Sequence, residues 1–161
     1  MEIQTILDLY SSSPHLGALL KTVDDDSIKT ISLRGLHASA IPVLFASMAD
    51  RLRRTCLFVL NDAEEAGYFY HDLTQMLGTA NVLFFPSAYR RQVKYGQRDA
   101  ANEILRTEVL SRLSAAASDG ACMSSLYVVT CPEAMSELVV SNKHLDDRTL
   151  PLRVGEEHDI V

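Results

Sequence analysis

The sequence predicts an α/β protein in which helices cover both faces of a parallel sheet. Short apolar segments alternate with longer segments whose apolar residues recur at helical spacing. The apolar segment at residues 56–60 has no polar interruption, as expected of a strand buried on both faces. With 161 residues, 47% of them apolar and 22% charged, the chain has the proportions of one globular domain, or of one domain and a fragment of a second.

The first predicted elements are helices followed by a strand. Residues 3–20 predict one or two short helices, because a Ser-Ser-Ser-Pro sequence at residues 11–14 interrupts their helical periodicity. Residues 28–33 are rich in β-branched side chains and predict the first strand. After a turn at Gly35, the apolar face of residues 40–52 predicts a helix.

A second strand and a long helix follow in the middle of the chain. Residues 56–60 predict the strand, and Asn61 or Asp62 can cap the next helix, which ends at Gly78. His71 lies beside the apolar stripe of this helix and is expected to face solvent. The stripe itself consists of Ala66, Phe69, Tyr70, Leu73, Met76 and Leu77.

The last third of the chain continues the alternation. The predictions are a strand at 82–85, a helix at 100–113, an exposed loop at 114–125, a strand at 126–130, a short helix at 132–139 and a fifth strand at 149–154. The buried stripe of the long helix is predicted to be Ala101, Ile104, Leu105, Val109 and Leu113. The chain then divides into amino-terminal helices at 1–27, an α/β domain at 28–148 and the start of a second domain at 149–161.

The composition argues against several classes of protein. The net charge of −6 disfavours a stand-alone nucleic-acid binder, because attraction to phosphates needs a positive surface. No apolar run approaches the roughly 20 residues of a membrane span, and the amino terminus lacks a signal-peptide pattern. The three cysteines have no C-x-x-C spacing and the five histidines no metal-ligand spacing. We therefore expect a cytoplasmic protein with no metal site.

The turn after the first predicted strand has the position of a phosphate-binding loop without its chemistry. In G-x-x-x-x-G-K-[ST], the second glycine admits the phosphates, the lysine binds their oxygens and the hydroxyl holds magnesium. Gly35 fills the first position, but the other three are Ala40, Ile41 and Pro42. No cofactor is therefore expected here, and Ser39 is expected to cap the helix. From spacing alone, an ordinary strand–glycine–helix turn accounts for this segment.

An ordered set of motifs resembles the amino-terminal module of bacterial transcription-repair coupling factors (Mfd), in the form seen in Bacteroidetes-type members. The motifs are residues 31–39 (ISLRGLHAS), 59–70 (VLNDAEEAGYFY), 82–91 (VLFFPSAYRR), 102–110 (NEILRTEVL), 128–134 (VVTCPEA) and 152–155 (LRVG). The resemblance extends from about residue 28 to the end of the chain.

The resemblance implies a degenerate helicase-like fold. The family's module is similar to the first domain of the excision-repair protein UvrB, which has an active phosphate-binding loop. The altered Gly35 turn would then be the remnant of a lost nucleotide site. UvrB also inserts a DNA-clamping β-hairpin after its third strand, whereas only about a dozen residues separate Pro86 from Ala100 here, too few for such a hairpin.

The resemblance also implies the setting in which the chain works. Full-length family members bind RNA polymerase and UvrA, and use ATP and magnesium to translocate on double-stranded DNA. The translocase domains would follow these residues, so this part is expected to be a non-catalytic scaffold. The arginine-bearing segment that contacts UvrA in the family would lie downstream of Val161, so no UvrA-binding residue is assigned.

Two other functions remain open at this stage. A small α/β enzyme could use His37, Ser39 and Cys131 on a phosphorylated or acyl substrate, which requires two of these side chains within hydrogen-bond reach in one pocket. Cys131 has no assignable base and reads as a small buried side chain.

A nucleic-acid-binding domain could instead use a basic loop at residues 89–98. Basic side chains interleaved with aromatic ones can bind a single strand. The acidic net charge favours a solvated loop, or a surface that docks on an acidic part of the same long protein. The residues concerned are Tyr89, Arg90, Arg91, Lys94, Tyr95 and Arg98.

Overall fold

The computed structural model describes residues 2–52, 54–89, 98–118, 125–141 and 155, and a three-stranded parallel sheet lies at its centre. The strands are β1 (Cys56–Val59), β2 (Val82–Phe85) and β3 (Tyr127–Thr130) in the order β1-β3-β2. The helices of these residues are α1 (Ile3–Ser11), α2 (Pro14–Asp24), α3 (Ala40–Met48), α4 (Ala63–Leu77), α5 (Ala100–Ser118) and α6 (Pro132–Met135). The predicted α/β class with a parallel sheet is confirmed.

Aromatic side chains hold helices α3 and α4 against one face of the sheet. The ring of Phe58 on β1 lies 4.8 Å from the ring of Phe45 on α3 and 5.0 Å from that of Phe69 on α4. Tyr70 on α4 stacks on Phe84 of β2 at 5.2 Å. Such aromatic pairs bury large apolar areas, so this face carries the main core. Helix α5 lies on the opposite face, where Arg106 sits over the ring of Phe85.

Helix α4 follows its local sequence signals closely. The Asp62 carboxylate accepts hydrogen bonds from the backbone amides of Glu64 and Glu65, at 2.9 and 2.8 Å, and so caps the helix. The helix ends before Gly78, whose φ of 77° is accessible to glycine at little cost. The predicted cap, stop and buried stripe are confirmed, and His71 is exposed as expected.

The prediction that β1 is buried on both faces is wrong. Leu57 and Val59 point away from α3 and α4 and are 55% and 48% exposed. Helix α5 contacts β2 on that side of the sheet, so its cover does not reach β1. A run of apolar residues indicates a strand, but it does not show how far the covering helix extends. Helices do lie on both faces, with the outer face of β1 open among the described residues.

The predicted first strand is also absent. Residues 28–33 form neither helix nor strand, and all of their side chains are exposed. β-branched residues favour extended backbone, but a strand forms only where a neighbouring strand takes up its backbone hydrogen bonds. The sheet order leaves no partner for this segment within the described residues. The comparison with a phosphate-binding loop requires a strand before Gly35, and the structure has none there.

Helix α5 is longer than predicted, and the face that it buries differs from the predicted face. It continues through Ser118, because the alanines of residues 115–117 are strong helix formers, so the loop predicted to begin at residue 114 is wrong there. Val109 is buried as predicted, but Ile104 is 69% exposed and Arg106 is buried instead.

Helix α6 ends at Met135, short of the predicted residue 139. Residues 119–124 and the fifth strand predicted at 149–154 lie outside the described residues.

The amino-terminal helices pack on α3 around a second apolar cluster. Leu16 and Leu20 of α2 meet Leu44 and Met48 of α3, with Leu52 beyond the helix end. Leu7 of α1 joins the main core instead. Helix α3 is thus buried between the amino-terminal helices and the sheet, which fixes the position of the turn that precedes it.

Candidate functional site

The turn that leads into α3 uses its own backbone to satisfy the start of the helix. Gly35 has φ 83° and Ala38 has φ 47°, so the chain passes twice through left-handed backbone conformations. The amide of Ala40 donates to the carbonyl oxygen of His37 at 3.0 Å, and the amide of Ile41 to that of Ala38 at 3.2 Å. Ser39 is the cap residue by position, but its side chain makes no capping hydrogen bond, so the predicted capping role is wrong.

These hydrogen bonds leave the start of α3 without the groups that bind anions. A helix normally begins with backbone amides that have no partner inside the helix, and phosphates bind there. The amides of Ala40 and Ile41 are already bonded, and Pro42 has no amide hydrogen. The side chain of Pro42 is also fully buried. The position that would hold magnesium in a phosphate-binding loop is therefore part of the core.

A cavity of 380 Å³ lies between the start of α3 and helix α4, which we call the α3–α4 cleft. Its ionisable side chains are two acids, Glu65 and Asp72, together with Tyr68, and no lysine, arginine or histidine lines it. Negative charge in a cleft repels phosphate groups. Its lining residues are Ala38, Ser39, Ile41, Pro42, Leu60, Glu65, Tyr68, Phe69 and Asp72.

A second cavity of 240 Å³ adjoins this cleft and shares Ser39 and Asp72 with it. Its walls come from α1, α3 and α4, and aliphatic side chains dominate them. They include Ile3, Ile6, Leu7, Val43 and Met76. We call the two cavities together the α3–α4 groove. One end is mostly aliphatic, with His71 and Gln75 also in its wall, and the other end is acidic and aromatic.

The carboxyl ends of β2 and β3, where ligands usually bind in open α/β sheets, are occupied by a buried ion pair. Nη1 of Arg106 lies 3.2 Å from Oε2 of Glu137, and only 8% and 13% of these side chains are exposed. The same Nη1 donates to the carbonyl oxygens of Pro86 at 2.8 Å and Ala134 at 3.2 Å. The ion pair thus joins α5 to the chain after β2 and to α6.

Glu137 extends this network to the chain after β2. Ser87 donates its hydroxyl proton to Oε1 of Glu137 at 2.5 Å, and the amide of Ala88 donates to Oε2 at 2.9 Å. Arg106 keeps one buried group, Nη2, without a hydrogen-bond partner, while its guanidinium carbon lies 4.1 Å from the ring centre of Phe85. Both charges face protein partners, which is the arrangement of a structural ion pair.

The sequence interpretation missed this ion pair. Asn102, Arg106 and Val109 follow one another at spacings of four and three residues, which places them on one helix face. The arginine and the asparagine interrupt the apolar pattern of that face, so the sequence periodicity favours the more regular stripe through Ile104. Asn102 donates to the carbonyl oxygen of Ser87 at 2.8 Å, so this polar face is directed inward.

The three residues of the alternative enzyme site lie in different environments. His37 and Ser39 are exposed beside the start of α3, whereas Cys131 is 2% exposed in the main core after β3. No hydrogen bond joins any two of them, and neither cavity that Ser39 lines includes His37 or Cys131. The prediction that Cys131 is a buried small side chain is confirmed.

Only the ends of the basic loop fall within the described residues. Tyr89 and Arg98 form an antiparallel bridge, and Nη1 of Arg98 lies 3.0 Å from Oε1 of Glu103. A hydrogen bond with Tyr89, together with the Glu103 carboxylate, raises the pKa of Arg98. The predicted contacts of Arg90, Arg91, Lys94 and Tyr95 lie outside the described residues.

Comparisons with known proteins add no family to this picture. No protein-family model, curated protein or solved structure matches the chain. Within the described ranges, no helix has the length and apolar character to cross a membrane. The same residues contain no group of three or more His, Cys, Asp or Glu side chains arranged to hold a metal ion. The fold therefore defines the chain as a parallel-sheet α/β protein.

Proposed function

We propose that this chain is a non-catalytic scaffold and interaction module, the first UvrB-like domain of a transcription-repair coupling factor. The observation that carries the proposal is the start of α3. Its first amides are bonded within the turn or replaced by proline, and the adjoining cleft carries two acids. These features fit a domain that does not bind a nucleotide at this turn.

The full-length protein in this proposal is an ATP-dependent DNA translocase that displaces stalled RNA polymerase and recruits UvrA to damaged DNA. ATP and magnesium act in its translocase domains, and DNA, RNA polymerase and UvrA are its partners. The ordered motifs from residues 31–39 to 152–155 support this setting. The chain contributes an α/β body, in which the ion pair between Arg106 and Glu137 joins elements that are distant in sequence.

We expect the chain to show no magnesium-dependent binding of ATP. The amides of Ala40 and Ile41 are bonded already, and Glu65 and Asp72 repel the phosphates. Isothermal titration calorimetry with ATP and magnesium checks this, and a nucleotide-binding helicase domain serves as the positive control. Tight, magnesium-dependent binding would contradict the proposal.

Restoring the two missing side chains should not restore hydrolysis. The double substitution Ile41→Lys and Pro42→Thr returns the lysine and the hydroxyl, but Ala40 still crowds the phosphates and no strand precedes Gly35. We expect a steady-state ATPase rate equal to the buffer blank in a coupled-enzyme assay. Measurable turnover by the folded double variant would refute this expectation.

The biological role is tested in the host. Deleting the gene that encodes this chain should abolish the preferential repair of transcribed strands after ultraviolet irradiation, while repair of the other strand continues. Strand-specific lesion mapping measures both rates in one experiment. Unchanged preference for the transcribed strand would show that the chain does not belong to a coupling factor.

A further inference from the structure

The α3–α4 groove has the features of a binding site for a cation attached to an aliphatic chain. Asp72 stands at the junction of its two cavities and makes no hydrogen bond or ion pair with any described residue. Glu65 lies on the same helix and uses one oxygen, Oε2, to accept hydrogen bonds from the backbone and side-chain nitrogens of Asn61, at 3.2 and 2.7 Å. The acidic end therefore has carboxylate capacity that the described residues leave unused.

An aromatic face completes the acidic end. Tyr68 lines the cleft, yet 67% of it is exposed. A planar guanidinium group binds a carboxylate through two parallel hydrogen bonds and stacks on an aromatic ring, whereas an ammonium group is a compact point charge without that planar geometry. Asp72 and Tyr68 are four residues apart on α4 and lie on one side of the helix. This pairing favours arginine over lysine.

The mostly aliphatic end of the groove favours a ligand that carries an apolar group next to its cation. Ile3, Ile6, Val43 and Met76 line most of it, and His71 and Gln75 of α4 also contribute to its wall. The two cavities meet at Ser39 and Asp72, so a ligand that spans the junction places an apolar group and a cation on adjacent side chains. Burial of an aliphatic side chain adds a hydrophobic contribution to affinity that a charge pair at a partly exposed site does not supply.

We propose that the α3–α4 groove binds a segment of a protein partner that presents an arginine beside an aliphatic side chain. The arginine pairs with Asp72 and stacks on Tyr68, and the aliphatic side chain enters the apolar cavity. The inference rests on the proposed function in one respect, since it assigns a partner to the interaction module beside the turn whose amides are already hydrogen-bonded. The acidic lining provides the charge complementarity to such a partner.

Two matched dipeptides test the proposal on the intact chain. N-acetyl-leucyl-arginine amide carries the cation, and N-acetyl-leucyl-citrulline amide has the same shape without the charge. Amide chemical shifts in nitrogen-15 NMR spectra report where each binds. We expect the arginine peptide to shift the amides of Ser39, Glu65, Tyr68 and Asp72, and to bind about three- to fivefold more tightly than the citrulline peptide at low salt.

Variants of α4 identify the charge responsible. Asp72→Asn should remove most of the preference for arginine, whereas Glu64→Gln, an exposed acid on the same helix that does not line the groove, should leave it unchanged. If the two substitutions had equal effects, the preference for arginine would come from the overall negative charge and not from Asp72, and the proposal would be overturned. Equal binding of the two peptides, or shifts confined to amides elsewhere, would overturn it as well.

A third titrant separates this inference from the proposed function. Magnesium-ATP is added to the same sample under the same conditions. Shifts at Ala40 and Ile41 on adding ATP would contradict the proposed function itself. No response to ATP and none to the arginine peptide would contradict only the partner assignment, and would leave the non-catalytic module standing.

Discussion

Replacing Glu137 with alanine should lower the free energy of unfolding by about 3–5 kcal/mol. The substitution leaves Arg106 charged and buried, since only 8% of its side chain is exposed. It also removes the acceptor for the hydroxyl of Ser87 and the amide of Ala88. Urea denaturation followed by circular dichroism measures the loss.

Two further variants show that the loss comes from an unpaired charge. Glu108→Ala removes an exposed acid of α5 and should change stability by no more than about 0.5 kcal/mol. The double substitution Arg106→Met and Glu137→Leu removes both charges and should cost less than Glu137→Ala alone. If the double variant were the less stable of the two, a buried charge would not explain the effect.

Leu73→Ala should cost about 2–5 kcal/mol of stability, because it leaves a cavity in the main core. Leu73 is 0% exposed and lies on the inner face of α4, within the cluster that also contains Phe69 and Val129. Thermal and urea unfolding measure the change, and circular dichroism at low temperature verifies that the variant folds.

His71, two residues earlier on the same helix, provides the matched control. It is exposed, so His71→Ala should change the free energy of unfolding by no more than about 0.5 kcal/mol. Similar losses for the two substitutions would mean that α4 presents a different face to the sheet. The comparison tests the helix orientation that also places Asp72 in the α3–α4 groove.

Local signals were enough to predict helix α4 and the chemistry missing from the Gly35 turn. A capping aspartate, a stopping glycine and an apolar stripe lie within one stretch of 17 residues, from Asp62 to Gly78, and each acts through bonds to near neighbours. The absence of lysine and hydroxyl at Ile41 and Pro42 is likewise a property of the residue types alone. For these features, no distant part of the chain has to be known.

Sheet partners were beyond what local patterns could predict. Residues 28–33 have the β-branched content of a strand, but no strand edge takes them up among the described residues. Leu57 and Val59 are apolar, as buried strand residues usually are, but they are exposed to solvent because α5 packs over β2. Both outcomes depend on where a neighbouring element ends, and that is decided by contacts between residues far apart in sequence.

The candidate sites divide in the same way. The sequence by itself determined that the Gly35 turn lacks a phosphate-binding lysine and hydroxyl, because those groups are residue identities. Only the tertiary structure decided that the amides of Ala40 and Ile41 donate hydrogen bonds within the turn, and that Glu65 and Asp72 line a cleft beside it. It also decided that Arg106 meets Glu137, 31 positions along the chain. A buried charge needs a partner of opposite charge, and this partner comes from a residue that is distant in sequence. The periodicity of one helix cannot identify such a residue.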